Sequence, residues 1–142
     1  MPEKTTARRA KRALRSGKRP STAAGEYVRE EIKHVRKGKH GARSPRQAIA
    51  IGLSKARRAG VPVGAPRKGA TSARTRRKAQ RDMEVGGGKR TPRSPSRRRS
   101  AAVKGALRRE RTSSASRRAL SRQAKSTRGA RRPRSTAGRR NR

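Results

Sequence analysis

Forty-six Lys and Arg side chains stand against seven Asp and Glu, and the formal charge of +39 over 142 residues is what any fold of this chain must accommodate. Little opposes that repulsion. Apolar residues make up 27% of the sequence, Tyr27 is the single aromatic, and Phe and Trp are absent. A chain of this kind buries too little apolar surface to offset the entropy of ordering a large core. The composition therefore excludes a sizeable core and allows a short folded segment at most. With no Cys, disulfides and thiolate metal sites are excluded as well.

The same imbalance calls for a polyanionic partner. Duplex DNA carries one charge per ~1.7 Å, so this surplus matches ~39 phosphates, or roughly 20 base pairs. Arg outnumbers Lys by 34 to 12. Its planar fork pairs bidentately with phosphate and also stacks, which favours nucleic acid over simple attraction to a bilayer. No apolar run approaches the ~20 residues of a membrane span, and the basic N-terminus lacks the apolar stretch of a secretory signal. Scarce Trp, Phe and Leu argue against a membrane-surface peptide. The expected location is cytoplasmic, on the nucleoid.

The chain changes character near Pro62. Residues 1–63 hold 18 Lys and Arg with 4 acids, a net of +14, and residues 64–142 hold 28 with 3, a net of +25. Three segments result: a basic N-terminal segment (1–20), a helical hairpin (21–63) and a basic nucleic-acid-binding tail (64–142). The expected class is all-α, with order centred on the hairpin at about 21–60.

Residues 5–16 place Ala7, Ala10 and Leu14 at helical spacing, then meet Gly17 and Pro20. This reads as a weak basic helix that forms against a partner. Over 21–37, Ala24, Val28, Ile32 and Val35 share one helical face, with Ser21 or Thr22 as cap and Gly38 as stop. Glu26, Glu30 and Glu31 precede Lys33, Arg36 and Lys37, an order that complements the helix dipole. In "SPRQAIAIGLSKARRAG" (44–60), Ser44 caps, Pro45 takes the first helical position and Gln47 completes a capping box. Ile49, Leu53 and Ala56 form a seam widened by Ala48, Gly52 and Ala59, and Gly60 with Val61 ends the helix. Gly52 weakens a helix by roughly 1 kcal/mol relative to Ala, and close approach of the preceding helix explains its presence. The two helices are expected to pack antiparallel and to be marginal alone, completed by a homodimer contact or by nucleic acid. Ile51, opposite the seam, is either a lone exposed residue or such a dimer contact.

Beyond residue 63 the reading is a largely disordered arm with short transient helices at 74–85, 100–110 and 114–125, a flexible GGGK linker at 86–89 and an extended stretch at 91–100. Its Arg clusters are the candidate phosphate-binding residues: Arg76, Arg77, Lys78, Arg93, Arg97, Arg98, Arg99, Arg108, Arg109, Arg117, Arg118, Arg131, Arg132, Arg139 and Arg140. Arg57 and Arg58 join them from the hairpin. Thr91-Pro92-Arg93 and Ser94-Pro95 are short turns that could lay Arg93 and Arg97 into a narrow minor groove. His34 and His40 read as solvated polar residues rather than metal ligands. No nucleophile–base pair or phosphate-loop spacing is present, so no enzyme activity and no cofactor are expected. The missing aromatics argue against a stacking single-strand binder, and an Arg-rich RNA-binding arm is the alternative to duplex DNA.

"STAAGEYVREEIKHVRKGKHGARSPRQAIAIGLSKARRAGV" (21–61), continued by "SRRRSAAVKGALRRERTSSASRRALSRQAKSTRGARR" (96–132), resembles a family of small uncharacterised bacterial basic proteins commonly labelled DNA-binding. The tail is also similar in composition to a linker-histone arm. The resemblance implies a histone-like, nucleoid-associated DNA-binding protein and carries over no catalytic residue.

Overall fold

The structure, a computed structural model, describes residues 2–131. It is all-helical: α1 (Lys4–Arg15), α2 (Pro20–Arg36), α3 (Pro45–Arg58), α4 (Ala73–Gly86), α5 (Arg97–Arg109), a 3-10 turn (Ser113–Ala115) and α6 (Arg117–Arg131). The one β feature among the described residues is an isolated bridge between Lys68 and Thr71.

Local signals set most helix ends. Ser44 Oγ accepts a hydrogen bond from Gln47 N at 3.2 Å, capping α3 as its sequence implies. The return bond from the Gln47 side chain goes one residue further out, where Oε1 accepts from Arg43 N at 2.6 Å. At the other end Gly60 adopts φ +88°, and Val61 N reaches back to Ala56 O at 3.0 Å. That left-handed turn drops Val61 into the core, where it is buried. α2 departs from expectation at its start. It begins at Pro20 with neither Ser21 nor Thr22 as cap, because proline's fixed φ and missing N–H suit the first helical position.

α2 and α3 pack antiparallel. Val35 meets Ala48 in one apolar cluster, Gly52 faces Val28, and Ala24 and Tyr27 meet Ala56 in another cluster. The inner line of α3 is Ala48, Gly52 and Ala56, all buried, while Ile49 and Leu53 sit half-buried beside it. Small residues occupy the seam because the backbones come close. A Cβ added at Gly52 would lie 2.6 Å from Val28 Cα and 3.0 Å from Val28 N. Ile51 is half-buried and belongs to neither cluster.

The first helix finds its partner within the chain. Ala10 is buried with Ala23, Ala24 and Tyr27, and Ala13 and Leu14 pack against that cluster. Glu30 and Glu31, assigned above to the helix dipole, are held instead by tertiary contacts. Glu31 is 1% exposed; its Oε1 lies 2.9 Å from His40 Nε2 and its Oε2 accepts from Lys55 Nζ. His34 and His40 are half-buried rather than fully solvated, each beside a buried glutamate.

The expectation of a largely disordered arm from residue 64 is corrected for the described residues. α4 docks on α3 through buried Ala79, with Ser54 Oγ donating to Asp82 Oδ2 at 2.6 Å. Gly86, read as part of a linker, is a contact point: a Cβ there would sit 1.8 Å from Arg57 O. The 3-10 turn buries Ala115 beside Val35, Ala42 and Ala48, and Arg36 Nε donates to Ala115 O at 2.8 Å. Main-chain bonds from Gly41 N to Leu107 O and from Ala42 N to Arg111 O, at 2.7 and 3.0 Å, fasten the same region. Alanines, glycines and backbone hydrogen bonds make this docking, and a count of large apolar residues cannot register them. Residues 132–142, on which the rest of that expectation falls, lie outside the described residues.

Candidate nucleic-acid interface

Helix α5 concentrates the cationic surface. Arg97, Arg98, Arg99, Lys104, Arg108 and Arg109 are six of its thirteen residues, and none of the thirteen is buried. Among the described residues α5 packs against no other helix. It is held at its C-terminal end, where Leu107 O accepts from Gly41 N and the Glu110 main chain abuts Gly41. Its other end is set by Ser96, whose Oγ accepts from Arg99 N at 3.3 Å. At 3.6 residues per turn, Arg97, Lys104 and Arg108 fall within about 40° of one another around the axis. Val103, the exposed large apolar residue of the described chain, lies on another side of the helix.

The remaining candidate residues divide by location. Arg77, Lys78, Arg117 and Arg118 are exposed on α4 and at the start of α6, and Arg76 is half-buried. Arg93 lies in an exposed irregular stretch between α4 and α5, together with Thr91, Pro92, Ser94 and Pro95. Arg58 projects outward with Nε 3.9 Å from Asp82 Oδ1. Arg57 turns inward: it is 7% exposed, Nε donates to Val63 O and Nη2 to Gly64 O. Burial lowers its pKa, with the Asp82 charge opposing. Arg57 thus pins the chain after α3 and is not displayed to a partner. Arg131 is the last residue of α6, and Arg132, Arg139 and Arg140 lie outside the described residues.

Sequence reasoning omitted several displayed cations. Lys104 completes the α5 stripe, and helical spacing from Arg97 and Arg108 was the signal for it. Arg46, Arg74 and Arg128, together with the candidate Lys78, border a groove of about 970 Å³ between α3, α4 and α6. Its floor includes Ile49, Leu53, Ala79 and Leu120. Only the docking of α4 and α6 on α3 brings those cations to one rim.

Ion pairs neutralise little of this surface. Among the described Lys and Arg, only Arg29, Lys39, Lys55, Arg58 and Arg90 approach a carboxylate within 4.0 Å. The described surface thus leaves most of its exposed cations without an acidic partner. No helix among the described residues is long and apolar enough to cross a membrane. Compared with known proteins, the chain matches no family model, no curated protein and no solved structure.

Proposed function

We propose that this chain is a sequence-nonspecific DNA-binding protein of the histone-like, nucleoid-associated kind, acting in the cytoplasm by neutralising phosphate. The observation that carries the reading is α5, an uncovered helix with six cations and no acid of its own. An isolated helix with such a charge gains nothing from the protein's own core, and phosphate contacts give it a function. The exposed cations of α4 and the start of α6 add further positions for phosphate contact. RNA binding through the same cations is the alternative that the test separates.

The test is duplex affinity of the full chain across a salt series, read by fluorescence anisotropy. With about ten phosphates engaged, log K falls against log salt with a slope of about −9. Replacing Arg97, Lys104 and Arg108 with Gln makes the slope shallower by about 3, whatever the duplex sequence. A slope unchanged by the triple substitution refutes the role of α5. Displacement of the duplex by a lower concentration of structured RNA at fixed salt selects the RNA reading instead.

A further inference from the structure

We propose that Glu3, Glu30 and His34 form a binding site for one divalent metal ion of the zinc class. The site lies where the residue before α1 meets the middle of α2, in the wall of a cavity of about 200 Å³.

The Glu30 carboxylate gives the reason. Its side chain is 3% exposed, and Oε1 accepts a hydrogen bond from Glu3 N at 3.1 Å. Oε2 is buried and has no hydrogen-bond partner. A buried carboxylate oxygen without a donor is costly, and a bound cation would relieve that cost. His34 Nε2 lies 3.4 Å from Glu3 Oε1 and 3.8 Å from Glu30 Oε1. Ligand atoms ~2.0–2.1 Å from a tetrahedral ion are about 3.3–3.5 Å from each other, so the Glu3–His34 spacing matches a coordination edge, while the 3.8 Å spacing is to Oε1, the Glu30 oxygen that Glu3 N already uses. One ligand atom from each of the three residues falls within 4.8 Å of the others.

The donor set selects the ion. One imidazole with two carboxylates suits zinc and its first-row neighbours, whereas calcium and magnesium take oxygen ligands throughout. Two carboxylates cancel the charge of a divalent ion, so the loaded site is neutral among Arg9, Arg29, Lys33 and Lys37 in the same wall. A neighbouring group of Glu31, His34 and His40 has comparable spacing. There both Glu31 oxygens already have partners, in His40 and Lys55, and His40 Nδ1 is occupied by Gly41 O at 3.0 Å. The unfilled valence is at Glu30. An ion there would clamp α1, with its own Arg8, Arg9, Lys11 and Arg12, onto the hairpin.

The experiment titrates the chelator-treated full chain with Zn²⁺ by calorimetry, without nucleic acid, and repeats the titration with Co²⁺ as an absorbance probe. One saturable site per chain is expected, with visible Co²⁺ bands that Zn²⁺ removes. Glu30→Gln and Glu3→Gln each weaken Zn²⁺ binding at least about tenfold, whereas His40→Gln changes it less than about twofold. Glu3 is exposed, so Glu3→Gln keeps the test decisive should Glu30→Gln misfold; far-UV circular dichroism monitors both. The proposal is overturned by an unsaturable titration, by wild-type affinity in Glu3→Gln, or by loss of the site in His40→Gln.

Discussion

Ala in place of Gly has opposite consequences at two positions of the α2–α3 pair. At Gly25, within α2, an added Cβ meets nothing within 4 Å. Gly25→Ala therefore gains the helix-propensity difference alone, about 0.8–1 kcal/mol. Gly52→Ala gains the same increment inside α3 but places its Cβ 2.6 Å from Val28 Cα and 3.0 Å from Val28 N and Cγ2. Two of those three atoms are main chain and cannot swing aside. Relief requires α3 to move off α2 by about 1 Å, and a gap of that size forfeits a quarter to a half of each dispersion contact along the seam. Overpacking typically costs about 1–3 kcal/mol, and contact with backbone places this site at the upper end. The net effect of Gly52→Ala is a loss of about 2 kcal/mol. In urea unfolding followed by the helical far-UV signal, an m-value of about 2 kcal/mol/M moves the midpoint about 1 M down for Gly52→Ala and about 0.5 M up for Gly25→Ala. Equal upward shifts for the two variants would refute the close approach of α2 and α3.

Three other perturbations read the remaining contacts. Lys55→Met leaves Glu31 buried with His40 as its one remaining side-chain partner and lowers stability by about 1–3 kcal/mol; adding Glu31→Gln restores part of the loss in the same unfolding assay. Gly86→Ala drives a Cβ into Arg57 O and detaches the end of α4, so amide exchange quickens through α4 while α2 keeps its protection. Burial, helped by the Glu30 charge, raises the Tyr27 phenol above its ordinary value of 10.0. The unfolded chain ionises first, so this contribution to stability is complete below pH 10 and disappears as pH rises through the folded-state value. Tyr27 is the sole tyrosine, and its phenolate absorbance must appear above pH 10, together with helix loss; an earlier onset with native helicity contradicts its burial.

The sequence by itself determined the elements that local chemistry writes. Ser44 and Pro45 start α3, Gly60 and Val61 end it, and Gly52 marks a close approach, because caps, fixed φ angles and a missing Cβ act within a few residues. It also determined the charge, since no fold can remove a surplus of 39. Tertiary structure alone decided which residues that charge presents and which residues it takes inside. Arg57 and Arg58 are adjacent, yet one spends its donors on Val63 and Gly64 while the other projects outward. Glu30, Glu31, His34 and His40 look like ordinary helix and loop polarity until α1, α3 and the 38–43 loop close around them. The arm after residue 63 acquired described helices because Ala79, Gly86 and Ala115 dock through small size and backbone contact. Such contacts are made between residues far apart in the chain, and hydrophobic periodicity carries information only about neighbours a few residues away.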